Sequence, residues 1–203
     1  MIILHDHVLS ADCYKVRLML AFLGVPYERR PVDMHPGRAH RASAFRALSP
    51  LGRLPVLEDG DLTIWEPQAA LAYIAMRYDP FSSWGARDAS ETAAVQTWLQ
   101  FAGGPLAALG AARAHALLGE HCTHGDPAEA ITILDDHLVE QGLNGRAWLA
   151  AARPTIADVA CFPDLALHED AGLRLDVHVG VRRWLKAFMD LPQFVEMPGL
   201  SSA

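Results

Sequence analysis

The sequence predicts two unlike units joined in series, a small α/β unit over residues 1–79 and an all-helical unit over residues 88–203. Three observations predict this. Short apolar runs of strand length alternate with one-faced helical stretches as far as Tyr78. From about residue 88 onward the apolar spacing is helical only. Between the two, residues 80–87 form a connection rich in Pro, Ser and Gly.

IILH (2–5) reads as a short buried strand. A helix follows from about Asp12, because Val16, Met19, Leu20 and Leu23 share one face at i, i+3, i+4 and i+7. Gly24 supplies a C-terminal stop and Pro26 lies just beyond it. YERRPV (27–32) is a second strand, parallel to the first if the helix is the crossover. A loop with Pro36 and Gly37 leads to a weak helix over 41–47. PVLED and LTIW flank an Asp-Gly turn and form a hairpin. Leu71, Ile74, Ala75 and Tyr78 give one more one-faced helix, closed before Pro80. In the second unit, helices are predicted over 88–118 (bent at Gly103-Gly104-Pro105), 127–141, 155–171 and 178–190. Thr155 and Asp158 form a capping box at the start of the third of these.

Apolar residues make up 51% of the chain and charged ones 20%, which fits a folded globular protein rather than a disordered one. A net charge of -7 argues against a nucleic-acid or anionic-membrane partner, since both need a basic surface. The N-terminus lacks the basic start and long apolar core of a signal peptide. The apolar stretch 101–119 is interrupted by Gly103, Gly104, Pro105, Arg113 and His115, so it reads as a core helix rather than a membrane span. Three scattered cysteines, Cys13, Cys122 and Cys161, suit a reducing cytoplasm. His115, His121, Cys122 and His124 cluster but match no zinc spacing, so no metal is expected.

Five segments together resemble the cytosolic glutathione transferases, in particular bacterial members with a serine near the first helix. They are SADCYKVRLMLAFLGVPYE (10–28), FRALSPLGRLPVLEDG (45–60), WEPQAALAYIA (65–75), RPTIADVACFPDLAL (153–167) and LPQFVEMPGL (191–200). The resemblance implies a thioredoxin-like first domain, an all-α second domain, a homodimer, and glutathione as co-substrate with a small-molecule electrophile.

It also implies roles for individual residues. Pro55 stands where the family has a cis proline, which turns the Leu54 N–H and C=O toward the cysteinyl unit of glutathione; read alone, Pro55 only begins an edge strand. Ser10 stands at the position of the family's thiolate-stabilising serine; read alone, it is a capping serine. Ser10-x-x-Cys13 occupies the place of a thioredoxin C-x-x-C, which makes Cys13 a second catalytic candidate, in glutathione-dependent thiol chemistry, or else a small core residue. Asp12 either caps the helix or raises a nearby thiol pKa.

Glu66 and Pro67 stand where the family has an acid followed by serine, the pair that holds the γ-glutamyl end. Proline suits the first helical position but has neither a hydroxyl nor an N–H to offer a carboxylate. Gln68 is a possible substitute donor. His40 and Arg53 are candidates for the glycyl carboxylate or else solvated surface residues, and Arg17 reads as a structural pairing residue. The electrophile is expected between the units, bounded by the long bent helix and the C-terminal FVEMPGL. Pro67 and Asp12 also motivate a different expectation, a binding or regulatory protein that keeps the fold and loses glutathione.

Overall fold

The computed structural model describes residues 1–119 and 125–200. The first unit runs β1 (Ile2–Asp6), α1 (Ala11–Phe22), β2 (Tyr27–Pro31), α2 (Ser43–Arg46), β3 (Val56–Asp59), β4 (Leu62–Trp65) and α3 (Pro67–Tyr78). A 3-10 turn over Ala39–Arg41 precedes α2. The four strands lie in the order β2-β1-β3-β4. β1 pairs parallel with β2 through the α1 crossover, then antiparallel with β3, and β3 pairs antiparallel with β4 across the hairpin. This is the expected strand and helix order.

α1 ends where the sequence indicated. Gly24 takes φ +62°, its N–H donates to the Ala21 carbonyl and the Val25 N–H to that of Leu20. Those two bonds satisfy carbonyls that the end of a helix would otherwise leave unpaired.

Among the described residues after Pro80 the regular elements are helical: α4 (Ala89–Gly103), α5 (Ala107–Leu118), α6 (Pro127–Leu143), α7 (Ile156–Ala166) and α8 (Val179–Met189). The expected helix over 88–118 is two helices, because Gly103-Gly104-Pro105 breaks the ladder rather than bending it. The expected helix over 155–171 also divides. Pro163 removes one amide from its ladder, α7 stops at Ala166, and a 3-10 turn covers His168–Ala171. No helix among the described residues is long and apolar enough to cross a membrane.

The connection between the units is pinned rather than loose. The Asp79 carboxylate accepts from the Trp84 N–H at 2.6 Å. The Trp84 indole stacks on Phe22 of α1 at 4.3 Å. Arg153 donates to the Ser82 and Gly85 carbonyls at 3.1 and 2.6 Å. One apolar core then runs through both units, from Leu4 and Leu57 in the sheet, past Leu18 and Met19 of α1, to Phe162 of α7 stacked on Phe188 of α8 at 4.2 Å.

At the head of α7 the capping box forms as expected. Thr155 Oγ1 accepts from the Ala157 N–H at 3.2 Å, and Asp158 accepts from the Thr155 N–H at 2.9 Å. The other Asp158 oxygen accepts from the Leu149 N–H and the Trp184 indole N–H. Thr155→Ala removes one half of the box and is expected to cost about 1 kcal/mol of stability. Urea unfolding monitored by circular dichroism measures this, and an unchanged midpoint would show that the cap contributes nothing.

Candidate active site

Ser10, Leu54 and Glu66 are far apart in sequence but line one cavity of about 470 Å³. Each is delivered by the end of an element. Ser10 is the N-cap of α1, with its Oγ accepting the Cys13 N–H at 3.2 Å. Its own hydroxyl proton remains available to donate, so capping and thiolate stabilisation are compatible roles for one side chain. The Ser10 amide is tied to the His7 carbonyl at 3.0 Å, which fixes the turn between β1 and α1.

Leu54 precedes a cis Leu54–Pro55 peptide and lies just outside both ladders of β3. Pro55 is buried behind it and does not itself line the cavity. Glu66 sits at the N-cap of α3 with φ +87° and ψ 122°. A β-carbon is strained in that region, and such strain is held only where the surroundings fix it. Pro67 follows as the first residue of α3, buried, with its ring against the cavity. Gln68, half-buried, lines the cavity next to it. His40 is buried and lines the cavity, whereas Arg53 lines it from an exposed position.

Of the two readings of Cys13, its surroundings fit the small core residue. It points away from the cavity into a cluster with Phe45, Leu54 and Val56, and no part of it is exposed. Burial pushes its thiol pKa well up, with the Asp6 carboxylate adding to the shift. A thiol that is both neutral and shielded is a poor nucleophile, and this one packs as a small apolar residue.

Asp12 is neither a cap nor an unpaired charge. Ser10 holds the cap, and Asp12 Oδ1 pairs with Lys15 Nζ at 2.7 Å. Lys15 is 1% exposed and also reaches Asp164 of α7 at 2.7 Å. Burial works against the Lys15 charge, but the two carboxylates overcome it and hold the ammonium charged. Arg17 pairs with Asp6, as its structural reading anticipated.

The far wall of the cavity comes from Ala102 and Gly103 at the end of α4 and from α5, where Ala107, Gly110, Ala111 and Ala114 leave space. This is the bent-helix side expected for the electrophile. The C-terminal segment is not part of that wall. It crosses α1 elsewhere, where the Val195 carbonyl accepts from the Tyr14 hydroxyl at 2.5 Å. Sequence reasoning missed Lys15, Arg113 and Asp164, and set His7 aside, yet all four line the cavity. The available signal was a basic or acidic residue within an otherwise apolar helical stretch. His121, Cys122 and His124 lie outside the described residues, and no metal-ligand group occurs among the described ones.

Comparison with known proteins gives consistent findings. The family described as "Glutathione S-transferase, N-terminal domain" matches residues 1–76. The chain is similar to a maleylacetoacetate isomerase of Pseudomonas aeruginosa, 31% identical over 190 residues, covering 89% of this chain and 87% of that one. It is also similar to glutathione S-transferase 3 of Schizosaccharomyces pombe, 27% identical, with 95% of this chain and 84% of that one covered. Among solved structures, a glutathione S-transferase from Pseudomonas fluorescens superposes with a TM-score of 0.86 at 25% identity, covering 97% of this chain and 98% of that one.

Proposed function

Because the chain belongs to the glutathione S-transferase family, we propose that it transfers the glutathione thiolate to small electrophiles, with Ser10 stabilising the thiolate. The observation that carries this reading is the convergence of Ser10, Leu54 and Glu66 on one cavity. Their chemistry fits the tripeptide. Glu66 offers a carboxylate to the α-ammonium. Leu54 offers a main-chain donor and acceptor to the cysteinyl unit. Ser10 offers a hydroxyl at the positive end of α1. His40 and Arg53 supply the side of the cavity suited to the glycyl carboxylate. We further propose a two-fold dimer and a cytoplasmic setting, in keeping with the family.

Pro67 is the point of misfit and supports a second reading, a family member that keeps the fold but holds glutathione weakly in a binding or regulatory role. The γ-glutamyl carboxylate would meet a proline ring where a serine would supply two donors. Pro67→Ser is therefore expected to tighten glutathione binding about tenfold or more, since one charge-assisted hydrogen bond contributes roughly 1.5 to 3 kcal/mol. Isothermal titration of both forms at one pH and salt tests this. Binding by neither form would favour the regulatory reading, and weaker binding by the variant would place the carboxylate elsewhere.

A further inference from the structure

The turn that carries Ser10, residues 7–9, is weakly held by its own side chains. Val8 and Leu9 are 43% and 37% exposed, so apolar packing does little to fix it. Its main chain is gripped instead. Arg17 of α1 donates from Nη1 to the His7 carbonyl at 3.4 Å and from Nη2 to the Val8 carbonyl at 3.3 Å. Arg113 of α5 donates from Nη1 to the Leu9 carbonyl at 2.5 Å. Three successive carbonyls before Ser10 are therefore taken up by two guanidinium groups, one from each unit of the fold. Each arginine is in turn anchored by a carboxylate. Arg17 pairs with Asp6 at the end of β1, and Arg113 Nε with Asp170 at 2.9 Å. A planar guanidinium presents its donors in fixed directions, so an anchored one fixes the acceptors it reaches.

We propose that Arg17 and Arg113 are positioning residues for the Ser10 hydroxyl, and that the all-helical unit sets this geometry through Arg113. This rests on the glutathione reading above, in which that hydroxyl donates to the thiolate. Ser10 has φ -79° and ψ 120°, outside the helix it caps, so the turn before it governs its direction as much as α1 does. A hydrogen bond weakens steeply with angle and distance, and a displacement of about 1 Å in a reacting geometry is costly. Asp6 and Asp170 balance the two arginine charges, so neither arginine presents an uncompensated charge to a thiolate. Their effect on the thiol therefore passes through Ser10.

The ultraviolet absorbance of the bound glutathione thiolate, followed against pH, tests this. Arg113 is the residue to change, because the Asp170 side chain keeps 25% exposure whereas that of Asp6 has none. Arg113→Gln is expected to raise the pKa of the bound thiol and to slow conjugation near neutral pH about threefold to tenfold, one pKa unit being tenfold. The loss should not exceed that of Ser10→Ala. In a Ser10→Ala background the same change should add no further shift, the non-additivity of two residues that act as one unit. Asp170→Ala leaves the arginine charge and removes only its anchor, so it should also raise the thiol pKa. A direct charge effect on the thiolate would lower it, because a carboxylate has been removed. Absence of a thiolate signal from the unmodified protein removes the glutathione reading and this inference together. A normal signal that Arg113→Gln does not shift overturns the inference alone. So does a shift that persists without the Ser10 hydroxyl, or an Asp170→Ala profile that is unmoved or moves downward. The Asp170→Ala result decides even where Arg113→Gln folds poorly.

Discussion

Lys15→Met is expected to destabilise the folded protein by about 3 to 5 kcal/mol near neutral pH, the range for removing one partner of a buried ion pair. The Lys15 and Asp164 side chains are 2% and 4% exposed, whereas that of Asp12 is 47% exposed. Asp12 can recover water when the ammonium is lost, but Asp164 cannot, so Asp164 carries the cost. Burial already pushes the Asp164 carboxyl up from its ordinary value of 3.8, against the pull of Lys15 and, more weakly, Arg113. Asp12 adds to the upward push. Without Lys15 it should rise further. A carboxyl whose pKa is higher in the folded than in the unfolded state takes up a proton on folding. The variant's stability should therefore fall as pH rises from the ordinary carboxylate value through the raised one, and should return toward wild type in acid. Urea unfolding of both proteins near pH 5 and pH 7.5 measures the difference. A loss of the same size at both values would show that Asp164 is not its source.

Ser10→Ala is expected to slow conjugation near neutral pH about tenfold or more, since each unit by which a bound thiol's pKa rises corresponds to a tenfold change. Glutathione binding should change little, because Leu54 and Glu66 remain in place. The variant also removes the N-cap of α1 and should lose about 1 kcal/mol of stability. The two roles separate in measurement. The rate against pH reports the thiol, and urea unfolding reports the cap. A stability loss with an unshifted pH profile would leave Ser10 as a cap alone.

Local features of the chain were legible in the sequence. The Gly24 stop, the Asp-Gly hairpin and the Thr155–Asp158 box each depend on residues within a few positions of one another, and each is where the sequence puts it. The break at Gly103-Gly104-Pro105 was legible as a bend but not as a complete interruption. Pro163 shows the same limit. A tertiary environment that buries nearly all of α7 permits a proline in its interior, and local rules do not register that environment.

The sequence by itself determined the order of elements, the two-unit plan and the positions of Ser10, Leu54 and Glu66 at element ends, because periodicity and turn chemistry are written in neighbouring residues. Tertiary structure decided which side chains share a space. Cys13, three residues after Ser10, turns into the core against Phe45, Leu54 and Val56, while Ser10, the extended N-cap just outside α1, lines the cavity. Asp12 reads as a hazard to a thiolate until α7 brings Asp164 to Lys15 and the three charges form one network. Arg113 looks like an interruption in an apolar helix until α5 packs beside the β1–α1 turn and leaves one of its donors without a partner. These outcomes depend on contacts between residues far apart in the chain, where burial and desolvation, not local propensity, set which groups pair and which line the cavity.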